Sequence, residues 1–63
     1  MMSHQQDQIL NFLKSNPDKT EKEIADGICA NVYTLHHAIM GLKRFGLVRA
    51  KRDGHTVLWE ATR

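Results

Sequence analysis

Between positions 20 and 62 the residues run helix, tight turn, helix, then two alternating β segments, and few folds accommodate that order. Thr20 and Glu23 form the pattern in which each side chain accepts from the other residue's free backbone N–H, so a helix is expected over residues 20–27. Ile24 and Ile28 lie four residues apart, and Ala25 is small where two helices must cross closely. Gly27, near the end, is the residue expected in the left-handed conformation. Ile28-Cys29-Ala30-Asn31 is a turn, and Asn31 is a strong N-cap for the next helix. Leu35, Ala38, Ile39 and Leu42 recur at three- and four-residue spacings and define a buried face over residues 32–45. Gly46 is placed to close that helix. Gly41 inside it costs up to ~1 kcal/mol relative to Ala. It is either simply tolerated or stands where another backbone passes close by.

Upstream, Ile9, Leu10, Phe12 and Leu13 form a wide apolar face, and a helix over residues 3–15 follows. Ser3 is its candidate N-cap, with Gln6 three residues on. Ser15-Asn16-Pro17-Asp18 breaks it, because the residue before proline avoids the helical region. Most of this face belongs in the core, and any exposed part suits pairing with a second copy. Downstream, Val48 and Ala50 alternate with Arg49 and Lys51, and Val57 and Trp59 alternate with Leu58 and Glu60. Asp53-Gly54 between them favours a tight type I′ turn, hence a short, stiff ribbon.

The chain of 63 residues is expected to be one domain, residues 1–63, with a core worth only a few kcal/mol net. Its 41% apolar and 25% charged residues are ordinary for a globular chain. One cysteine means no internal disulfide and fits a reducing compartment. No apolar run approaches the ~20 residues of a membrane span, and positions 1–8 do not resemble a signal peptide. A cytoplasmic, nucleoid-associated location is therefore expected. Charge is unevenly placed. Residues 1–31 hold three lysines against five carboxylates, a net of −2, and residues 32–63 hold six cations against two carboxylates, a net of +4. The basic half carries the second helix of the pair and the ribbon, which points to a polyanion on that side. A merely solvated surface is the alternative.

These residues resemble the winged helix-turn-helix superfamily of transcription regulators. The echoes are Glu23-Ile24-Ala25, the run Leu42-Lys43-Arg44-Phe45-Gly46-Leu47-Val48, and a hairpin ending in Leu58-Trp59. The resemblance covers about residues 5–61. It implies an α+β fold of three helices followed by a two-stranded β-hairpin wing, with DNA as partner. There is a weaker similarity to the Z-alpha type of left-handed-DNA binding domain. It is carried by Gln8-Ile9-Leu10-Asn11-Phe12-Leu13 and by Trp59 at that family's wing tryptophan. That family's recognition asparagine and tyrosine fall at His36 and Met40, and its wing prolines at Val57 and Leu58. Right-handed duplex DNA is accordingly the expected target.

The candidate reading surface begins at Asn31 and includes Val32, Tyr33, His36, His37 and Met40. Tyr33, His36 and His37 can exchange hydrogen bonds with base edges, and Val32 and Met40 can touch a thymine methyl. The alternative for Tyr33 and Met40 is packing against a partner's first helix. None of Val32, Tyr33, His36, His37 and Met40 is Arg, Asn or Gln, so readout from this helix is expected to be modest or shared with the wing. Lys43, Arg44, Arg49, Lys51, Arg52 and His55 are candidate phosphate contacts, with Arg52 also suited to a minor groove. Their alternative role is a charged sheet edge that discourages aggregation. Trp59 either packs across the ribbon onto a helix or faces a partner.

No cofactor is expected. His36 and His37 are adjacent and diverge on a helix, and the cysteine and histidine spacings match no metal motif, although Cys29, His36 or His4 across a dimer could make one. Cys29 itself is expected to be a small buried residue in the elbow. Catalysis is not expected either. There is no phosphate loop or nucleophile motif, and Glu21 and Glu23 project to different helix faces. The expected function is a small DNA-binding transcriptional regulator acting on double-stranded DNA, with a possible homodimer through the first helix. No membrane or small-molecule substrate is expected. The rivals are a protein-interaction adaptor on the same fold and a left-handed-DNA module.

Overall fold

The computed structural model describes residues 4–62. Three helices, α1 (His4–Ser15), α2 (Glu21–Ile28) and α3 (Val32–Arg44), precede a ribbon of β1 (Val48–Asp53) and β2 (Thr56–Ala61). This is the expected architecture of three helices and a wing. The proposed Ser3 cap lies outside the described residues. Asn16 ends α1 through its backbone N–H and its Nδ2, both donating to Phe12 O.

The core draws on every element. Ile9 and Leu13 of α1, Ile24 and Ala25 of α2, Leu35, Ile39 and Leu42 of α3, Val48 of β1 and Trp59 of β2 are all buried. Leu10, Phe12, Ile28, Ala38, Met40 and Leu47 pack against this cluster while remaining half-buried. The apolar face read on α1 is therefore mostly spent on the core. The large apolar side chains that stay exposed among the described residues are Val32, Tyr33, Phe45 and Val57, on or beside α3 and the wing.

The helix ends follow their residues. Thr20 Oγ1 accepts from Glu23 N, and Glu23 Oε1 accepts from Thr20 N. The backbone N–H of Thr20 holds the Glu23 carboxyl below its ordinary range. Asn31 Oδ1 accepts from Tyr33 N. At the end of α3, Gly46 takes φ 75°, Gly46 N–H donates to Lys43 O and Leu47 N–H donates to Leu42 O. That bond pair is the Schellman closure, and it starts the wing at a set angle.

Two glycine expectations change. The left-handed residue closing α2 is Cys29, at φ 57°, and not Gly27. Cys29 is exposed rather than buried, because a residue that turns the chain out of a helix carries its side chain outward with it. Gly27 serves packing instead. A Cβ there would lie 2.3 Å from Phe12 Cε1, so the missing side chain lets the α1 ring lie against α2. Gly41 likewise meets a side chain and not a backbone. A Cβ there would lie 2.7 Å from Gln6 Nε2, which donates to Ala38 O and ties α1 to α3.

The ribbon is antiparallel, with Val48 opposite Ala61, Ala50 opposite Trp59, and Asp53 opposite Thr56. β1 thus runs through Asp53, and the two-residue turn is Gly54-His55, one residue later than the expected Asp53-Gly54. Among the described non-glycine residues only Asp18 and Cys29 have positive φ, while Gly54 sits at 64°. Positive φ at the first turn position alone is the type II′ pattern, not type I′. A third chain segment joins the sheet. Lys19 and Trp59 exchange both backbone hydrogen bonds, at 3.2 and 2.7 Å, so the α1–α2 connection pairs with the free edge of β2.

Thr20→Ala is expected to cost about 1 kcal/mol in urea unfolding. Glu23→Gln is expected to be less stable than the parent near neutrality. The folded value of Glu23 is lowered, so its contribution is present above the ordinary carboxylate range, and the difference closes as pH falls through the lowered one. Cys29→Gly is expected to raise stability by about 0.5–1 kcal/mol, since it relieves a left-handed non-glycine residue. An unchanged or lower unfolding midpoint for Cys29→Gly would contradict the backbone assignment.

Candidate nucleic-acid interface

The side of α3 away from the core is exposed at Tyr33, His36, His37, Lys43 and Arg44. Tyr33 is 78% exposed and Val32 40%, so both stand clear of the fold near the helix start. Asn31 is also exposed, with its side-chain oxygen committed to the cap. Met40 differs from its neighbours. It is half-buried on the floor of a groove of about 380 Å³ between α3 and the wing. His36, Lys43, Ala50, Arg52, Val57 and Trp59 also line that groove, as does Glu21 from the start of α2. α3 and the wing therefore open on one side.

Strand alternation sorts the wing's charges between two faces. Val48, Ala50 and Arg52 share the face of Trp59 and Val57, which is the groove side. Arg49 and Lys51 lie on the opposite face with Glu60. There Arg49 Nε donates to Glu60 Oε1, and Lys51 Nζ lies 3.1 Å from Asp18 Oδ1 and 3.5 Å from Glu60 Oε2. The hydrogen bond to Asp18, with the charges of Asp18 and Glu60, holds the Lys51 ammonium above the ordinary lysine range. This chain of ion pairs ties the wing to the α1–α2 connection. Arg49 nonetheless remains 68% exposed. His55 is exposed at the tip of the turn.

Trp59 adopts the packing alternative. Its ring is buried, and Lys43 Nζ stands 6.0 Å from its centroid on the groove side. At that range an ammonium is attracted by the ring face. Trp59 Nε1 is buried with no hydrogen-bond partner among the described residues. An unpaired buried N–H costs about 1–3 kcal/mol, so the indole is held here by its apolar burial.

Three acidic residues beside these side chains were not among the expected site residues. Glu21 Oε1 lies 2.8 Å from His36 Nδ1, and Asp18 and Glu60 balance the outer wing cations. Only Glu60 carried a local signal, as a strand residue beside a basic strand. Among the described residues no group of three His, Cys, Asp or Glu side chains is arranged to hold a metal ion, and no helix is long and apolar enough to cross a membrane.

No family model matches the chain, and no curated protein matches it. Solved structures do. A point mutant of ZitR from Lactococcus lactis superposes with a TM-score of 0.92 at 23% identity, covering 100% of this chain and 44% of that one. A ZitR mutant in complex with DNA gives 0.88 at 24% identity, with coverages of 100% and 44%. The homodimeric winged helix-turn-helix DNA-binding domain of Mb0332 from Mycobacterium bovis, a possible ArsR-family regulator, gives 0.83 at 27% identity, with coverages of 94% and 54%. ZitR is described as a zinc-responsive MarR family member. The chain thus spans about half the length of the structures it matches, and over that span it has the winged helix-turn-helix fold of these regulators.

Asp18→Asn tests the outer ion pairs without disturbing the backbone, because Asn tolerates the left-handed φ of 60° found at Asp18. The variant is expected to lower the Lys51 value towards that of a free lysine and to speed amide exchange in the wing while α2 and α3 stay protected. The Lys51 value is raised, so its contribution is present at neutral pH and is lost as pH rises through that raised value. Unchanged wing exchange would show that the ribbon is held by its packing alone.

Proposed function

We propose that this winged helix-turn-helix chain binds double-stranded DNA as a transcription regulator, with α3 in the major groove and the wing against adjacent phosphates. The observation that carries the reading is the shared groove, which puts the exposed face of α3 and the Arg52 side of the wing on one surface. Tyr33, His36 and His37 face base edges, and Val32 and Met40 supply apolar contact. Asn31 holds the start of α3 at the DNA. Lys43, Arg44, Arg52 and His55 lie against phosphates or the minor-groove rim. Arg49 and Lys51 reach phosphate from the far side of the wing while braced by Glu60 and Asp18.

The ZitR–DNA complex and the homodimeric Mb0332 domain support both a duplex partner and a second copy. Pairing through α1, at the half-buried Leu10 and Phe12, would double the contact area of a domain with few base-reading groups. The role requires no catalysis and no cofactor, and it belongs in the cytoplasm at the nucleoid.

Lys43→Glu and Arg52→Glu are each expected to weaken binding to random duplex uniformly across sequences. Each should also lower the slope of log affinity against log salt by about one unit per lost phosphate contact. Fluorescence anisotropy over a salt series reads both quantities. Affinity indifferent to salt in the parent would instead favour a protein partner.

A further inference from the structure

From the ring geometry at the start of the groove we infer that His36 is a specificity-determining residue and that Glu21 sets which bases it accepts. The inference rests on the DNA-binding reading above and deepens it. Glu21 Oε1 lies 2.8 Å from His36 Nδ1. A carboxylate only accepts, so Nδ1 must carry the proton. In a neutral imidazole that leaves Nε2 with a lone pair and no hydrogen. The His36 side chain is 53% exposed and lies on the groove wall between α3 and the wing. Nε2, on the ring edge away from Nδ1, is thus a hydrogen-bond acceptor available to a bound duplex.

An acceptor selects donors. In the major groove the donors are cytosine N4 and adenine N6, whereas guanine O6 and N7 and thymine O4 only accept. Neutral His36 therefore favours A or C over G or T on the strand it touches. Protonation turns Nε2 into a donor, and the preference moves towards guanine. Glu21 of α2, Lys43 of α3 and Arg52 of the wing line the groove with the ring, and the Lys51 ammonium lies on the far face of the wing beside Asp18 and Glu60. The His37 ring lies edge-on, with centroids 6.0 Å apart. Glu21 is the positioning residue, because without it the ring can present either nitrogen as the acceptor.

The test has one arm on the protein alone and one on duplexes. Long-range nitrogen–proton correlation spectra of the free protein at about pH 8, above the usual imidazole range, should show His36 protonated at Nδ1. Protonation at Nε2 instead would overturn the inference before any DNA is added. Selection from a fully randomised duplex library at the same pH should give one position restricted to A or C on one strand. Replacing that base by guanine should lower affinity about fivefold, the scale of one net hydrogen bond. His36→Ala should erase the restriction while salt-dependent binding to random duplex persists. Glu21→Gln, whose amide can either accept from Nδ1 or donate to it, should weaken the restriction without unfolding the chain. A restriction that survives His36→Ala, or guanine preferred at about pH 8, overturns the inference and leaves the DNA-binding reading standing. Loss of all salt-dependent duplex binding in the parent overturns both.

Discussion

Trp59 has to satisfy three neighbours at once, and the working surface depends on its doing so. Its backbone exchanges two hydrogen bonds with Lys19, its strand pairs with β1, and its ring is buried in the core shared by all three helices. The same residue forms part of the groove floor, beneath Lys43. The angle between wing and α3 is therefore a consequence of core packing, not an independent hinge. The unpaired indole N–H comes with the burial of a large apolar ring in that core.

Charge placement follows from strand alternation once that angle is set. Successive residues of β1 point to opposite faces, so a basic run is divided rather than concentrated. Arg52 is delivered to the groove, and Arg49 and Lys51 are delivered to a face where Asp18 and Glu60 meet them. Exposed pairs of this kind contribute little to global stability. Their value is in holding a two-stranded ribbon, marginal by itself, in one position relative to the helices. Glu21 and His36 make a comparable link between α2 and α3, with the ring nitrogen chemistry of His36 as its consequence.

The helices were legible because their signals are local. The Thr20–Glu23 box, the Asn31 cap and the Gly46 closure each involve residues within a few positions, and all three form as read. The apolar spacing of Leu35, Ile39 and Leu42 identified buried positions for the same reason. Where two local solutions compete, spacing along the chain does not choose between them. Gly27 and Cys29 both stand near the end of α2, and glycine is the usual left-handed residue. Here Gly27 is required by the Phe12 ring of another helix, so the strained conformation passes to Cys29. The hairpin turn shifted by one residue because Gly54 suits the first position of one turn type and the second of another.

The sequence by itself determined the order of elements, the helix boundaries within about one turn, the buried faces and the surplus of positive charge in the second half. Each of these depends on spacing along the chain, which covalent geometry converts directly into direction. Only the tertiary structure decided that Lys19 pairs with Trp59, that Asp18 reaches Lys51 and that Glu21 meets His36. Those partners are 15 to 40 positions apart, and no periodicity links them. Their proximity exists only after the helices and ribbon have packed around one tryptophan.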